Sequence, residues 1–232
     1  MNSGLAAAHW PASAEELIAL QETLAGAREP LWRAPAAPVS VGGCFVCFTR
    51  GKAGPGHAGD AGWAGASLFA ERRLIGSAVV AGAAGAPYEP GLLGLREGPL
   101  LEAAVRALPE LPDVLLVNAT GRDHPRRAGV AVHLGAVVGV PTVGVTHRTL
   151  LAEGDCPADE RGARARLVLD GELVGYWLRT RPGTRPLAVH AAWRTDADAA
   201  AELVLRHCRT RTPEPIRQAR RVARRARAEV ES

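Results

Sequence analysis

Lysine is almost absent: Lys52 is the one lysine among 28 basic residues in a chain of 232. Positive charge therefore rests on arginine, whose planar guanidinium suits phosphate contacts, although a GC-rich genome would produce the same bias. No apolar run approaches the roughly 20 residues that a membrane-spanning helix needs, which excludes a helical membrane span. Residues 1–20 lack a basic stretch followed by an apolar core and a small-residue cleavage site, so a cytoplasmic location is expected. Cysteines are few, at Cys44, Cys47, Cys156 and Cys208. The C-x-x-C of the first two falls in a β-prone segment, where residues three apart point to opposite faces and cannot share an ion. All four are read as small buried apolar residues.

What is present is an ordinary globular composition, 47% hydrophobic and 22% charged with a net charge of +4. The length suits one domain over 1–232, with a leading helix and linker over 1–38 and a basic helix over 213–232. Ser13 with Glu16 three residues on reads as a helix start, followed by Leu17, Leu20 and Leu24 on one face. Residues 39–48 read as a strand, 51–62 as a glycine-rich turn, and 67–69 and 74–80 as antiparallel strands. Helices over 97–108 and 127–138 alternate with short apolar strands over 114–117 and 142–145, which implies parallel, buried central strands. A hairpin turns at Asp170-Gly171 between 165–169 and 173–178. A strand over 187–190 and helices over 196–207 and 216–230 complete an α/β chain.

Three segments carry a family resemblance. Pro87-Tyr88-Glu89-Pro90-Gly91-Leu92-Leu93-Gly94-Leu95-Arg96-Glu97-Gly98-Pro99 resembles the endonuclease V signature P-Y-I-P-G-x-L-x-x-R-E-x-P. The run from Gly121 through Asp123, His124, Pro125, Arg126 and Arg127 to Gly135 resembles G-x-x-H-P-R-x-x-G-x-A-S-H-x-G, and Pro141-Thr142-Val143-Gly144-Val145 follows at the spacing of P-T-I-G-V. Near the end, Trp193-Arg194-Thr195-Asp196-Ala197-Asp198 resembles a drifted H-R-x-S-x-D, and Pro213-Glu214-Pro215-Ile216-Arg217 resembles P-E-P-T-R. The resemblance implies a ribonuclease-H-like mixed sheet flanked by helices. It also implies acidic residues around Mg2+ or Mn2+ and cleavage 3′ to a deaminated purine nucleotide. Two carboxylate-held metals would activate water and stabilise the leaving oxygen.

Carried over position by position, the first acid of the family pattern falls on Phe45 and the third on Asn118. Glu97 and Asp198 match the second and fourth, and Asp123 is a candidate replacement carboxylate. His124 matches the family histidine, and His147 stands where a lysine is usual, exchanging a permanent charge for a titratable one. Tyr88, held between Pro87 and Pro90, matches the wedge that fills the gap left by a flipped base. Gly91, Gly94 and Gly121 would let the backbone close on that base. Arg96, Arg126 and Arg127 are read as phosphate contacts, and Arg217, Arg220, Arg221, Arg224, Arg225 and Arg227 as a basic helical face.

Two ligand carboxylates replaced by phenyl and amide should weaken a hard-cation site by several powers of ten, as an order of magnitude. The expectation is a monomer that binds DNA or RNA containing deaminated purines, with cleavage weakened or lost. Two rivals stand beside it. One is an active metal-dependent endonuclease using Glu97, Asp198 and Asp123, and the other is a scaffold that binds only protein.

Overall fold

The computed structural model describes residues 8–35, 38–50 and 54–231. Lys52, residues 1–7 and the middle of the proline-rich linker lie outside that description. Eight strands form one sheet in the order β3-β2-β1-β4-β5-β8-β7-β6. In chain order they are β1 Ser40–Phe48, β2 Ala61–Ala70, β3 Arg73–Ala83, β4 Val114–Val117, β5 Thr142–Thr146, β6 Arg164–Leu169, β7 Glu172–Leu178 and β8 Leu187–Ala191. The central β1, β4 and β5 run parallel, and every other pairing is antiparallel. This is the ribonuclease-H-like mixed sheet that the sequence led us to expect.

The four residues of β4 are all buried, with alternating destinations. Leu115 and Val117 join a core under α2 (Leu93–Arg106) and α3 (Val130–Val138). Val114 and Leu116 join a second core on the other face, with α4 (Ala197–Arg206) and the start of α5 (Glu214–Glu231). A strand covered on both faces needs apolar residues at every position, hence the unbroken Val-Leu-Leu-Val. The cysteines follow the same parity. Cys44 joins the α2/α3 core and Cys47 packs toward α5 with Trp63 and Ala223. Cys156 departs from expectation: it is exposed, near the Arg179 guanidinium.

The leading helix, α1 (Ala14–Gly26), starts where Ser13 accepts a hydrogen bond from the Glu16 amide at 3.2 Å. Leu17 and Leu24 are fully buried beneath it. Elsewhere the boundaries move. β2 and β3 are longer than the short strands read from sequence, because their alanine- and glycine-rich ends carry no apolar alternation. Their hairpin turns on Glu71 and Arg72, both with positive φ. α2 begins a turn earlier than the expected residue 97, so Pro99 sits inside it. Proline has no amide hydrogen to offer the carbonyl of Leu95. α3 begins at Val130 rather than residue 127, because Arg127 has φ +54° and cannot be helical.

One packing feature positions the whole site. α5 lies along β1 and β2 so closely that a Cβ at Gly43 would be 2.2 Å from the Pro215 carbonyl carbon, and one at Gly65 would be 2.3 Å from the Ala219 oxygen. Any side chain at either position would lift the helix off the sheet. Ser67 adds a hydrogen bond of 2.7 Å to the Pro215 carbonyl.

Candidate functional site

Parallel strands leave a crevice beyond their carboxyl ends, where loops diverge to neighbouring helices. Here the segments following β4 and β5 meet the first half of α2 and enclose a cavity of about 290 Å³. Tyr88, Pro90, Gly91, Glu97, Asn118 and His124 all line it, so residues distant in sequence share one wall. Pro87 and Glu89 are exposed beside it, and Tyr88 is 44% exposed at its rim.

Glu97 is the one carboxylate lining this cavity. Burial pushes its pKa up to about 7, against the opposing pull of the neighbouring Arg96 charge. Asn118 lies at the end of β4, its amide hydrogen-bonded to the Cys44 carbonyl at 3.2 Å. Its side-chain nitrogen donates to the Val145 carbonyl at 2.9 Å, which leaves the amide oxygen as its acceptor. A carboxylate at this position would have nothing to donate to that carbonyl.

His124 sits in the cavity wall with both ring nitrogens engaged. Nε2 bonds the Gly91 carbonyl at 3.1 Å, and Nδ1 accepts from the Arg126 amide at 3.2 Å. A carbonyl only accepts, so the hydrogen is on Nε2 and the ring is neutral. Burial holds its pKa down at about 4, with the Gly91 bond pulling the other way. The Gly91 carbonyl also accepts from Gln21 and from Arg126, each at 3.1 Å. This residue is therefore a hub that locks the Tyr88 loop to α1 and to the His124 loop.

Asp123 is fully buried and takes no part in the cavity. Its carboxylate accepts the amides of Leu150, Leu151 and Ala152 at 2.7 to 2.8 Å, tying down the loop that forms the far wall. Its other neighbour is His190 Nδ1 at 3.8 Å, and His190 Nε2 lies 2.9 Å from the Thr146 hydroxyl. That hydroxyl donates to the Arg148 carbonyl at 2.6 Å, so His190 is the donor to Thr146. Thr146, Arg148, Thr149 and Leu150 line the cavity, and sequence reading missed them. Their place at the end of a parallel strand and just beyond it was the signal that could have found them.

The model of the family described as Endonuclease V matches residues 40–221. The chain belongs to the endonuclease V family. The Thermus thermophilus endonuclease V is 44% identical over 143 residues, which are 60% of this chain and 63% of that one. The chain thus matches a little under two thirds of that relative's length. Endonuclease V from Streptomyces avermitilis superposes with a TM-score of 0.83 at 33% identity, covering 97% of both chains. The Ciona intestinalis endonuclease V, solved with a 24mer DNA containing an inosine followed by a ribo-adenosine, shares the fold with a TM-score of 0.74 at 21% identity, covering 93% of this chain and 98% of that one.

Against the endonuclease V pattern, the structure makes four corrections. Asp198 is not with Glu97. It is exposed, bonded to Arg164 and Tyr176, and begins a helix that follows the end of β8 paired with Val143, whereas Thr146 and the cavity lie at the other end of β5. Asp123 is no replacement ligand, since both its oxygens are spent on backbone amides. The arginines read as phosphate contacts are committed internally. Arg96 pairs with Asp60 at 3.0 Å and bonds two carbonyls, Arg126 bonds Gln21 and Gly91, and Arg127 bonds Leu169 and Asp170. Gly121 meets the Ala191 carbonyl rather than the cavity, with a Cβ position only 2.2 Å away. Gly94, though in the wall, also packs near Leu17 and Trp10.

The basic face of α5 is likewise thinner than its sequence. Arg217 pairs with Glu214, Arg225 with Glu229, and Arg227 is buried on the Phe48 carbonyl. Phe45 packs toward α5 on Cys47, Trp63 and Ala223. Since Cys44 pairs with Val117, position 45 is the lateral neighbour of position 118. His147 is exposed just beyond β5, and its pKa is lowered by burial and then by Arg211 and Arg220.

The donor set does not suit a pair of Mg2+ or Mn2+ ions. Hard cations of this kind require several charged oxygens. The cavity offers Glu97, a neutral amide oxygen and threonine hydroxyls. Among the described residues, no three His, Cys, Asp or Glu side chains gather as a metal site. Among the same residues, no helix is long and apolar enough to cross a membrane.

Proposed function

We propose that this endonuclease V family member recognises a deaminated purine in DNA or RNA and holds it without efficient metal-dependent cleavage. The observation that carries the reading is the cavity itself. Tyr88 stands at the rim of a mostly apolar pocket of about 290 Å³ that has room for a nucleobase, and Glu97 is the single carboxylate inside it. In the register that the resemblance implies, Phe45 and Asn118 fall where the family pattern has acids, and they directly follow the paired Cys44 and Val117. The Ciona relative, held on inosine-containing DNA, supports this class of ligand.

Incubating the purified chain with inosine-containing DNA and RNA in Mg2+ or Mn2+ tests the reading. The expected result is binding with no more nicking than a Glu97→Ala variant produces. A second reading, an active endonuclease of altered geometry, is favoured by the 44% identity to the Thermus endonuclease V. Efficient cleavage that disappears in Glu97→Ala would establish it and overturn the first.

A further inference from the structure

Arg220 and Arg224 lie one helical turn apart on α5, and their guanidinium carbons stand 5.1 Å and 5.6 Å from the centre of the Phe45 ring. Neither has a carboxylate at ion-pair distance among the described residues, unlike Arg217, Arg225 and Arg227 on the same helix. The Nε of Arg220 is buried with no hydrogen-bond partner there. Arg221 also has no ion pair among those residues but is exposed on the adjoining face, so what sets Arg220 and Arg224 apart is that both lie over one aromatic ring without a counter-charge, a place prepared for an external anion. The seat of α5 on Gly43 and Gly65 leaves no room for the helix to shift, so their starting points are fixed.

This pair stands beside the cavity. Phe45 is the strand neighbour of the wall residue Asn118, and His147, which feels both Arg211 and Arg220, follows the wall residue Thr146 in sequence without itself lining the cavity. A divalent cation at the end of β1 and β4 would meet one carboxylate and several fixed positive charges. A phosphodiester would meet the reverse.

We propose that Arg220 and Arg224, carried on the face of Phe45, form a guanidinium clamp that grips a nucleic-acid phosphate in place of divalent cations. The proposal rests on the nucleic-acid reading above and adds its own requirement: backbone binding at this site is independent of metal. It also predicts that restoring the acids alone would not restore cleavage. A carboxylate from Phe45→Asp would arise between two guanidiniums and pair with them, and Asn118→Asp would give up the bond to Val145. Cleavage would return only if the clamp were removed as well.

Fluorescence anisotropy of a labelled single-stranded DNA with one deoxyinosine, titrated with the full chain in EDTA and in magnesium over a salt series, tests the clamp. The dissociation constant should agree within about twofold between the two buffers. Arg220→Gln with Arg224→Gln should weaken binding about tenfold at low salt and reduce the slope of log K against log salt by about 1.4, two contacts on a single strand. Arg221→Gln with Arg225→Gln removes the same charge from the adjoining face and should cost less than about threefold. Arg220→Lys with Arg224→Lys, which keeps the charge and the helix, should bind better than the Gln pair. Binding abolished by EDTA, or equal losses in the two Gln pairs, would overturn the clamp. A matched DNA with adenine in place of inosine separates the two ideas. Equal affinity for both DNAs sinks base recognition alone, and an inosine preference retained in Arg220→Gln/Arg224→Gln with no loss of overall affinity for either DNA sinks the clamp alone.

Discussion

Arg96 shows how a residue adjoining a motif glutamate can be structural. Its guanidinium is 4% exposed, lies 4.1 Å from the Phe48 ring and meets the equally buried Asp60 carboxylate. Arg96→Met would take one buried cation away from that carboxylate and should cost up to about 3–5 kcal/mol, measured by urea unfolding, with the cavity residues unchanged. The positions of Glu97, Tyr88 and His124 were legible in the sequence because short motifs fix local geometry: all three line the cavity. Asp123 and Asp198 were not, for a different reason. A carboxylate's identity says nothing about whether its oxygens are already spent, and Asp123 spends both on amides nearly thirty residues away. The pairing of Phe45 with Arg220 was equally hidden, since nothing local connects a strand residue to a helix far along the chain.

Among the elements, the β6–β7 hairpin was read correctly from its Asp-Gly turn, where Asp170 has φ +49° and Gly171 φ +80°. A Cβ at Gly171 would touch nothing within 4 Å, so Gly171→Ala isolates the backbone cost. About 1–2 kcal/mol is expected for a left-handed alanine, read as a fall in melting temperature of about 2–8 °C for a chain of this size. The β2–β3 hairpin makes the same kind of turn with Glu71 and Arg72, which no turn rule selects, and its long strands of small residues were under-read. Small residues give no alternation, yet on β2 they are what lets α5 approach. The start of α2 was misplaced by a turn, and Pro99 lies inside the helix although proline prefers the first helical position. The surrounding packing overrides that local preference.

At the scale of the whole molecule, buried histidines govern the response to acid. His133, bonded to the His9 carbonyl at 2.8 Å, is pushed down to about 4 by burial, His124 likewise to about 4, and His190 is lowered for the same reason. Each is neutral in the fold and takes a proton more readily once unfolded, so stability should fall as pH drops from about 6.5 toward 4. Glu97, raised to about 7, works the other way over part of that range, but one group opposes three. Urea unfolding at about pH 7.5 and pH 4.5 should show a net loss of about 3 kcal/mol, and His133→Gln should flatten the slope. The parallel centre and antiparallel flanks of the sheet followed from the order of elements. Which faces α5 and α4 would cover did not, because that depends on contacts between the first strands and the last helices. The close seat of α5 on Gly43 and Gly65 therefore has a bearing on biosynthesis. Those two strands leave the ribosome long before the helix that shields them, so their α5-facing surface stays open to water and to chaperones until α5 has been made.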